Sequence, residues 1–337
     1  MDYFLHRIKH ESEISYPLLA KGILTYGWSI FSNPTVMNNI KTSPDVNKYL
    51  ESLSPGNNSI YNLGIFLNEI KVDDIILVPT PGQFAFYKAK SCAKLINDIP
   101  DSVLNSLQKP PNFIPSKKGN LLVDKNNNPY DLGFYIEVEK ITETVSRWEF
   151  ANAQLTRYMK YQGSTLHIRR EDIINIINST IENIKNGITV NDEFKIRIIK
   201  CLTNAITECL HPDKMELLVK KYFNSIGGVT TRPNPTSDEG DCDVIAEFPL
   251  IKTVIFCQVK HHVGQTNAYS VDQIIAYNKN FKAREYVGYT RQLWVISTAF
   301  SFSDEAIQKA VDNNIQLISG NEFANMLIDA GILNLDI

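Results

Sequence analysis

The chain has no Cys-x-x-Cys pair, and its five cysteines (Cys92, Cys201, Cys209, Cys242, Cys257) are odd in number. Neither a zinc knuckle nor a disulfide framework is indicated, and the five read as reduced core residues. No run of about 18 apolar residues is present to span a bilayer. The N-terminus, Met1-Asp2-Tyr3-Phe4-Leu5-His6-Arg7, lacks the uninterrupted apolar stretch of a signal peptide, so a cytoplasmic address without membrane association is expected. Gly-Lys-Ser/Thr is absent, and ATP-driven translocation would need a partner chain. Positive charge is not in excess either: the formal net charge is −3. Enzymes of DNA often concentrate cations in one groove while staying acidic elsewhere, so local charge has to decide.

What is present is an ordinary globular composition, 43% hydrophobic and 21% charged over 337 residues, long enough for two domains and a connector. Residues 1–165 read as short strands such as Ile75–Pro79, Gln83–Tyr87 and Gly133–Val138, broken by Ser54-Pro55-Gly56-Asn57-Asn58, Pro110-Pro111 and Lys125-Asn126-Asn127-Asn128-Pro129. A β-rich module follows from that pattern. Residues 166–210 switch to helical periodicity, with one stripe at Ile173, Ile174, Ile177 and Ile181 and another at Ile198, Ile199, Leu202 and Ile206. Asn186-Gly187 separates the two helices of this connector.

Residues 211–337 alternate strands and helices. A helix follows Pro212, two strands run over Cys242–Phe248 and Thr253–Lys260, and a helix is expected with Ser270 as its cap. A strand at Leu293–Ser297 leads to a helix capped by Ser303, and a strand at Ile315–Ile318 to a helix over Asn321–Ala330. This predicts an α/β domain whose mixed central sheet is flanked by helices.

The chemistry-bearing stretch is Gly240-Asp241-Cys242-Asp243-Val244-Ile245-Ala246, followed by Cys257-Gln258-Val259-Lys260-His261-His262. Strand alternation puts Gln258 and Lys260 on one face, where Asp243 meets them from the neighbouring strand. A carboxylate, an amide oxygen and an ammonium on one surface suit phosphodiester hydrolysis with a hard cation. Mg²⁺ takes one or two carboxylates plus waters. Asp243 is the anchor, Gln258 a neutral ligand, and Glu216 on the preceding helix a second acid; Asp241 either joins the metal or caps the turn after Gly240. Lys260 would orient or deprotonate the attacking water. His261 and His262 suit phosphate contact better than metal binding, because no third ligand stands at a useful spacing. Between Lys252 and Arg291 six cations (Lys252, Lys260, Lys279, Lys282, Arg284, Arg291) face two acids, Asp272 and Glu285. A backbone-binding groove fits there, and a solvated helix face explains Lys279, Lys282 and Arg284 as well.

From Pro212 to the end, the pattern Gly-Asp-x-Asp-Val-Ile-Ala, a short loop and Gln-Val-Lys-His resembles the Mrr-like restriction endonuclease family of the PD-(D/E)XK superfamily, with Gln in place of the commoner Glu. The resemblance implies a restriction-endonuclease-like fold, Mg²⁺ (with Mn²⁺ able to substitute), double-stranded DNA as substrate, and catalytic Asp243, Gln258, Lys260 and Glu216. Some relatives carry Gly-Asp-Gly-Gly-x-Asp where this chain has Asp238-Glu239-Gly240-Asp241-Cys242-Asp243. The identity of the acid that joins Asp243 therefore stays open.

Gly22-Ile23-Leu24-Thr25-Tyr26-Gly27-Trp28 and Phe66–Pro79 look like a module found ahead of such domains, similar to PUA and EVE barrels. It would read DNA, modified or unmodified, through an aromatic base pocket for which Trp28 and Trp148 are named. Cutting both strands calls for two active centres, hence a homodimer. The leading expectation is a modification-dependent restriction enzyme of defence. The alternatives are a nuclease effector switched on by a signal at the N-terminal domain and a silent DNA-binding protein.

Overall fold

The computed structural model describes residues 1–57, 59–107, 115–233, 240–280 and 286–334. Two compact units divide the chain, Met1–Asp192 and Glu193–Ile337. Among the described residues no helix is long and apolar enough to cross a membrane.

The first unit is built on a curled open sheet, a half-barrel. Its main strands are β1 (Tyr3–His6), β2 (Ile23–Tyr26), β3 (Ile75–Thr80), β4 (Gln83–Ala89), β5 (Phe134–Lys140) and β6 (Thr165–Ile168). They follow the order β6-β1-β3-β4-β5-β2, with β1 and β3 parallel and the other pairs antiparallel. No ladder joins β2 to β6 among the described residues, so the expected small barrel is half a barrel. β1 and β3 read as continuous apolar runs because both faces are covered: Phe4, Ile76 and Val78 enter one core, Leu5, Ile75 and Leu77 another. Helix α1 (Ser12–Ala20) sends Ile14 and Leu18 to a third cluster around Tyr135.

α2 (Glu171–Lys185) lays Ile173, Ile177 and Ile181 on the second of these cores, as its stripe predicts, while Ile174 is half-buried. The next helix, α3 (Val190–Cys209), contributes Leu202 and Ile206 to a core of the second unit. Cys242 and Cys257 are buried, whereas Cys92, Cys201 and Cys209 are exposed. The reading of all five as core residues fails for those three, whose side chains face solvent.

The second unit is a five-stranded mixed sheet between two helical layers. β7 (Val229–Thr231), β8 (Val244–Phe248) and β9 (Thr253–Lys260) are antiparallel neighbours; β10 (Thr290–Ser297) and β11 (Ile315–Ile318) follow in parallel. One face of β9 (Ile255, Cys257, Val259) packs with α4 (Pro212–Ser225) and α7 (Gly320–Asp329). The other face (Val254, Phe256) meets α5 (Tyr269–Asn280) and α6 (Asp304–Asp312). Ser303 caps α6 by accepting from the Ala306 N–H, as the sequence indicates. Ser270 does not cap α5: it lies inside the helix, and the Asn267 side chain accepts the Tyr269 N–H in its place.

Buried His6 ties the half-barrel together. Its Nε2 donates to the Thr25 carbonyl at 3.1 Å, which leaves Nδ1 to accept from the Thr165 hydroxyl at 3.0 Å. Burial pushes the imidazole down to about 4, the Thr25 hydrogen bond opposes that, and His10 adds to it. Between pH 6.5 and 4 the unfolded chain therefore binds a proton at His6 that the folded chain does not. The folded state should lose stability as pH falls through this window, by at most about 1.4 kcal/mol per pH unit. Urea unfolding of the full chain at pH 7.5, 6 and 5 should show a shallower dependence in His6→Gln; an unchanged slope would remove His6 as its source.

Candidate active site

β8 and β9 pair with Val244 opposite Cys257, so one further step of the register sets Asp243 opposite Gln258. The Asp243 N–H donates to the Cys257 carbonyl at 3.0 Å, which extends the ladder to that residue. Gly240 prepares the approach. Its φ is +117°, and a Cβ there would lie 2.3 Å from the Tyr277 nitrogen in α5, so only glycine lets the chain pass this close to the helix.

Asp243 Oδ2 accepts two hydrogen bonds, from Gln258 Nε2 at 2.7 Å and from the Val259 N–H at 2.6 Å. Neither uses Oδ1. Gln258 is 1% exposed, and because its nitrogen is committed to Asp243, its Oε1 is buried without a hydrogen-bond partner. An orphaned buried carbonyl costs about 1–3 kcal/mol unless something occupies it. Burial pushes the Asp243 carboxyl up to about 6; the Val259 N–H opposes this, Asp241 and Glu216 raise it further, and Lys260 lowers it.

The structure therefore gathers Asp243, Gln258, Asp241, Glu216 and Lys260 into one electrostatic neighbourhood, with different degrees of engagement. Asp241 is exposed and its Oδ2 is 3.5 Å from Gln258 Nε2, the outer limit of a hydrogen bond. Glu216, half-buried on α4, faces Arg232 at 3.7 Å. Lys260 ends β9 with its ammonium 6.0 Å from the centre of the Tyr269 ring. The strand end is held by Thr298, whose N–H donates to the Lys260 carbonyl at 3.0 Å and whose hydroxyl bridges the His262 N–H and carbonyl, each at 2.9 Å.

Other predicted residues stand apart from this cluster. His261 Nε2 donates to the Ile206 carbonyl of α3 at 3.1 Å, and His262 Nε2 lies 3.4 Å from the Gln265 carbonyl. Lys279 is exposed on α5, while Lys282, Arg284 and the Asp238-Glu239 pair lie outside the described residues. Trp28 and Trp148 are not brought together. Trp28 follows the Tyr26–Phe134 end of the β2–β5 ladder and stacks on Phe31, packed on the core. Trp148, 93% exposed, follows Ser146, which pairs with Gln83 beyond the Lys140 end of β5. Opposite ends of a sheet cannot wall one pocket.

Sequence reasoning missed Arg232, Tyr269 and the Val259 N–H. The last is a backbone donor, carried by every residue but proline, and has no signature in composition. An open apolar groove of about 900 Å³ also lies beside α3 in the second unit, between Ile199, Trp294 and Met326, and does not include the Asp243 cluster.

Among the described residues no three His, Cys, Asp or Glu side chains form a ready metal cage. The donor set nevertheless suits a hard cation that keeps several waters: one carboxylate oxygen not engaged by its neighbours, one orphaned amide oxygen, and two further acids at the rim.

Residues 207–327 match the family model of a restriction endonuclease, the Mrr catalytic domain, and the second unit carries a domain of that family. No curated protein matches the chain at a significant level. Among solved structures, the chain is similar to the DNA modification-dependent restriction endonuclease AspBHI (11% identity, TM-score 0.31), covering 78% of this chain and 65% of that one. It is similar to the MspJI restriction endonuclease solved in complex with a 27-mer oligonucleotide (14%, TM-score 0.28; 78% and 62% covered). A repair endonuclease from Pyrococcus abyssi gives 12% identity and a TM-score of 0.27, with 72% and 76% covered. The family match, not these superpositions, carries the assignment.

Ionising Asp243 costs the metal-free folded state stability as pH rises from about 4 to 6, because its carboxyl is raised. Asp243→Asn should therefore melt at or above the parent's temperature at pH 8 in chelator. If Mg²⁺ or Mn²⁺ raises the melting temperature of the parent, that increase should vanish in this variant. A parent-like metal shift would remove Asp243 as a ligand.

Proposed function

We propose that the chain is a Mg²⁺-dependent DNA endonuclease, a modification-dependent restriction enzyme acting in the cytoplasm against foreign DNA and working as a homodimer on duplex DNA. The observation that carries this reading is the Asp243 carboxylate, clamped by the Gln258 amide and the Val259 N–H with Lys260 on the same face of β9. The restriction endonuclease family match over 207–327 supports it. The dimer follows from chemistry, since two strands need two centres. The 192-residue first unit is the proposed reader.

In this reading Asp243, Gln258 through Oε1, and Glu216 or Asp241 hold the cation, which would supply positive charge to a phosphodiester as negative charge builds on it. Lys260 does the protein's own part. Its ammonium, whose charge opposes the rise of the Asp243 carboxyl, orients the attacking water by donating to its oxygen and offsets charge on the pentavalent phosphorus, while the water's proton leaves to solvent. Holding Lys260 at its carbonyl, Thr298 fixes the backbone from which that side chain extends.

The deciding experiment is cleavage of unmodified, cytosine-methylated, hydroxymethylated and glucosylated DNA with Mg²⁺ or Mn²⁺ and no added activator. Faster cutting of one modified DNA is expected, and equal rates across the panel would end the modification-reading part. Lys260→Ala should retain metal and DNA binding while losing on the order of 10²-fold or more in rate. Asp243→Ala should lose metal affinity and cutting together. Folded variants of both that cut at the parent rate would remove this active centre and leave a silent DNA-binding protein as the reading.

A further inference from the structure

The first unit contains an open cleft of about 450 Å³, set between the C-terminal end of α1 and the sheet, whose wall chemistry is that of a ligand site. Tyr16 supplies an aromatic surface, Tyr87 only the small part of its side chain that the core leaves uncovered, Lys21 and Lys140 two cations, and Thr80 and Thr144 two hydroxyls. These come from four separate stretches of chain. Tyr87 stands opposite Lys140 in the β4–β5 register, and Thr80 ends β3.

Each group has a reason to be held in place. Tyr87 is almost fully buried within the core, and Tyr16 packs against the same core from α1. Burial raises both phenols above their usual range, so both stay protonated as neutral donors at physiological pH. The end of α1 would repel an anion if its last carbonyls were bare. They are not all bare: the Lys21 N–H takes the Leu18 carbonyl and the Gly22 N–H takes that of Leu19. Gly22, at φ +82°, then turns so that its carbonyl accepts the Val138 N–H. Lys140 is paired with Glu143 at 2.8 Å, whereas exposed Lys21 has no ion pair among the described residues. Lys21 is therefore the charge offered to a ligand at the mouth.

From this we infer that the cleft binds a nucleotide, its planar base against the Tyr16 ring, its edge within reach of the threonine hydroxyls and its phosphate at Lys21. A cleft of this volume lies within the usual range for small-ligand sites. Stacking on an aromatic side chain contributes about 1–3 kcal/mol per base, and an ammonium suits phosphate as a point charge. A purely apolar ligand would make no use of the Lys21 ammonium or of the two hydroxyls. The nucleotide can come from two sources, a free mononucleotide or one turned out of a duplex. The second source rests on the nuclease reading; the chemistry of the cleft does not. Exposed Trp148 lies four residues beyond Thr144 and next to Arg147, whose guanidinium donates to the Thr80 carbonyl at 2.9 Å, so a further aromatic stands at the same edge.

The test uses the full chain and two variants, Tyr16→Leu, which keeps apolar bulk, and Lys21→Ala, which changes only an exposed side chain. Calorimetric titration with the four deoxynucleoside 5′-monophosphates and the matching nucleosides covers the free source. A duplex with a single 2-aminopurine, followed by fluorescence, covers the DNA source. Monophosphate binding that weakens about tenfold or more in both variants, with nucleoside binding spared in Lys21→Ala, supports the cleft as a free-nucleotide site. A 2-aminopurine signal on the duplex that both variants lose supports it with DNA as the source. No response in the parent to either probe, or both variants responding like the parent, overturns it. Plasmid cleavage by the parent, read against Lys260→Ala, is scored separately: a chain that binds nucleotide without cutting keeps the cleft and loses the nuclease.

Discussion

The second unit depends on one hydrogen-bonded pair, the Asp243 carboxylate against the Gln258 amide. A carboxylate that is largely withdrawn from water is costly unless its lone pairs are used. Here Oδ2 is used twice, by a side chain and by the Val259 backbone, and both donors belong to β9. The interaction that makes the charge tolerable therefore also fixes how β8 meets β9. A slip of one residue would turn Gln258 and Lys260 to the other face, where Cys257 and Val259 belong to the core under α4. Register and site are set by the same bonds.

The neighbouring loops extend that constraint. Before Asp243, Gly240 lets the backbone lie against α5 without a Cβ, which aims the short segment from Asp241 to Asp243 at β9. After Lys260, Thr298 bonds to both sides of the turn made by His261 and His262, while buried Ser297 and Thr266 share a 2.6 Å contact beneath it. Loops that must turn at a sheet edge usually retain freedom. The described residues on both sides of this site, Gly240 to Asp243 and His261 to Thr266, are tied to the body of the domain instead, which suits side chains that have to hold a fixed geometry.

Much of the second unit was legible because its signals are local. Period-two alternation placed Gln258 with Lys260, Ser303 with Asp304 and Glu305 announced α6, and the Gly-Asp-x-Asp stretch pointed to β8. The Ser270 cap misled because Ser and Asn compete for the same role and sequence alone does not say which backbone N–H is free. Illegible parts were those decided by distant packing. Trp28 and Trp148 look equivalent in sequence, yet strand pairing sends them to opposite ends of the half-barrel. Tyr16, Lys21, Tyr87 and Lys140 attract no notice individually and converge only because β4 pairs with β5 beside the end of α1. Arg232 was passed over for a similar reason, since its meeting with Glu216 requires β7 to return beside α4.

The choice of glutamine at position 258 follows from charge. This position is 1% exposed and its side chain lies 2.7 Å from a carboxylate that burial has already raised to about 6. A second buried carboxylate at that distance would push one of the two acids further up, and a proton would be shared between them at neutral pH. The amide avoids that conflict by donating to Asp243, and in doing so it orients Oε1 as an acceptor left without a protein partner. The remaining negative charge sits on Asp241 and Glu216, both more open to water and the latter already facing an arginine. Only one of the site's charges is thus deeply placed. The acceptors that a hard cation would use are therefore the Oδ1 of Asp243, which neither clamp bond engages, and the orphaned Oε1 of Gln258.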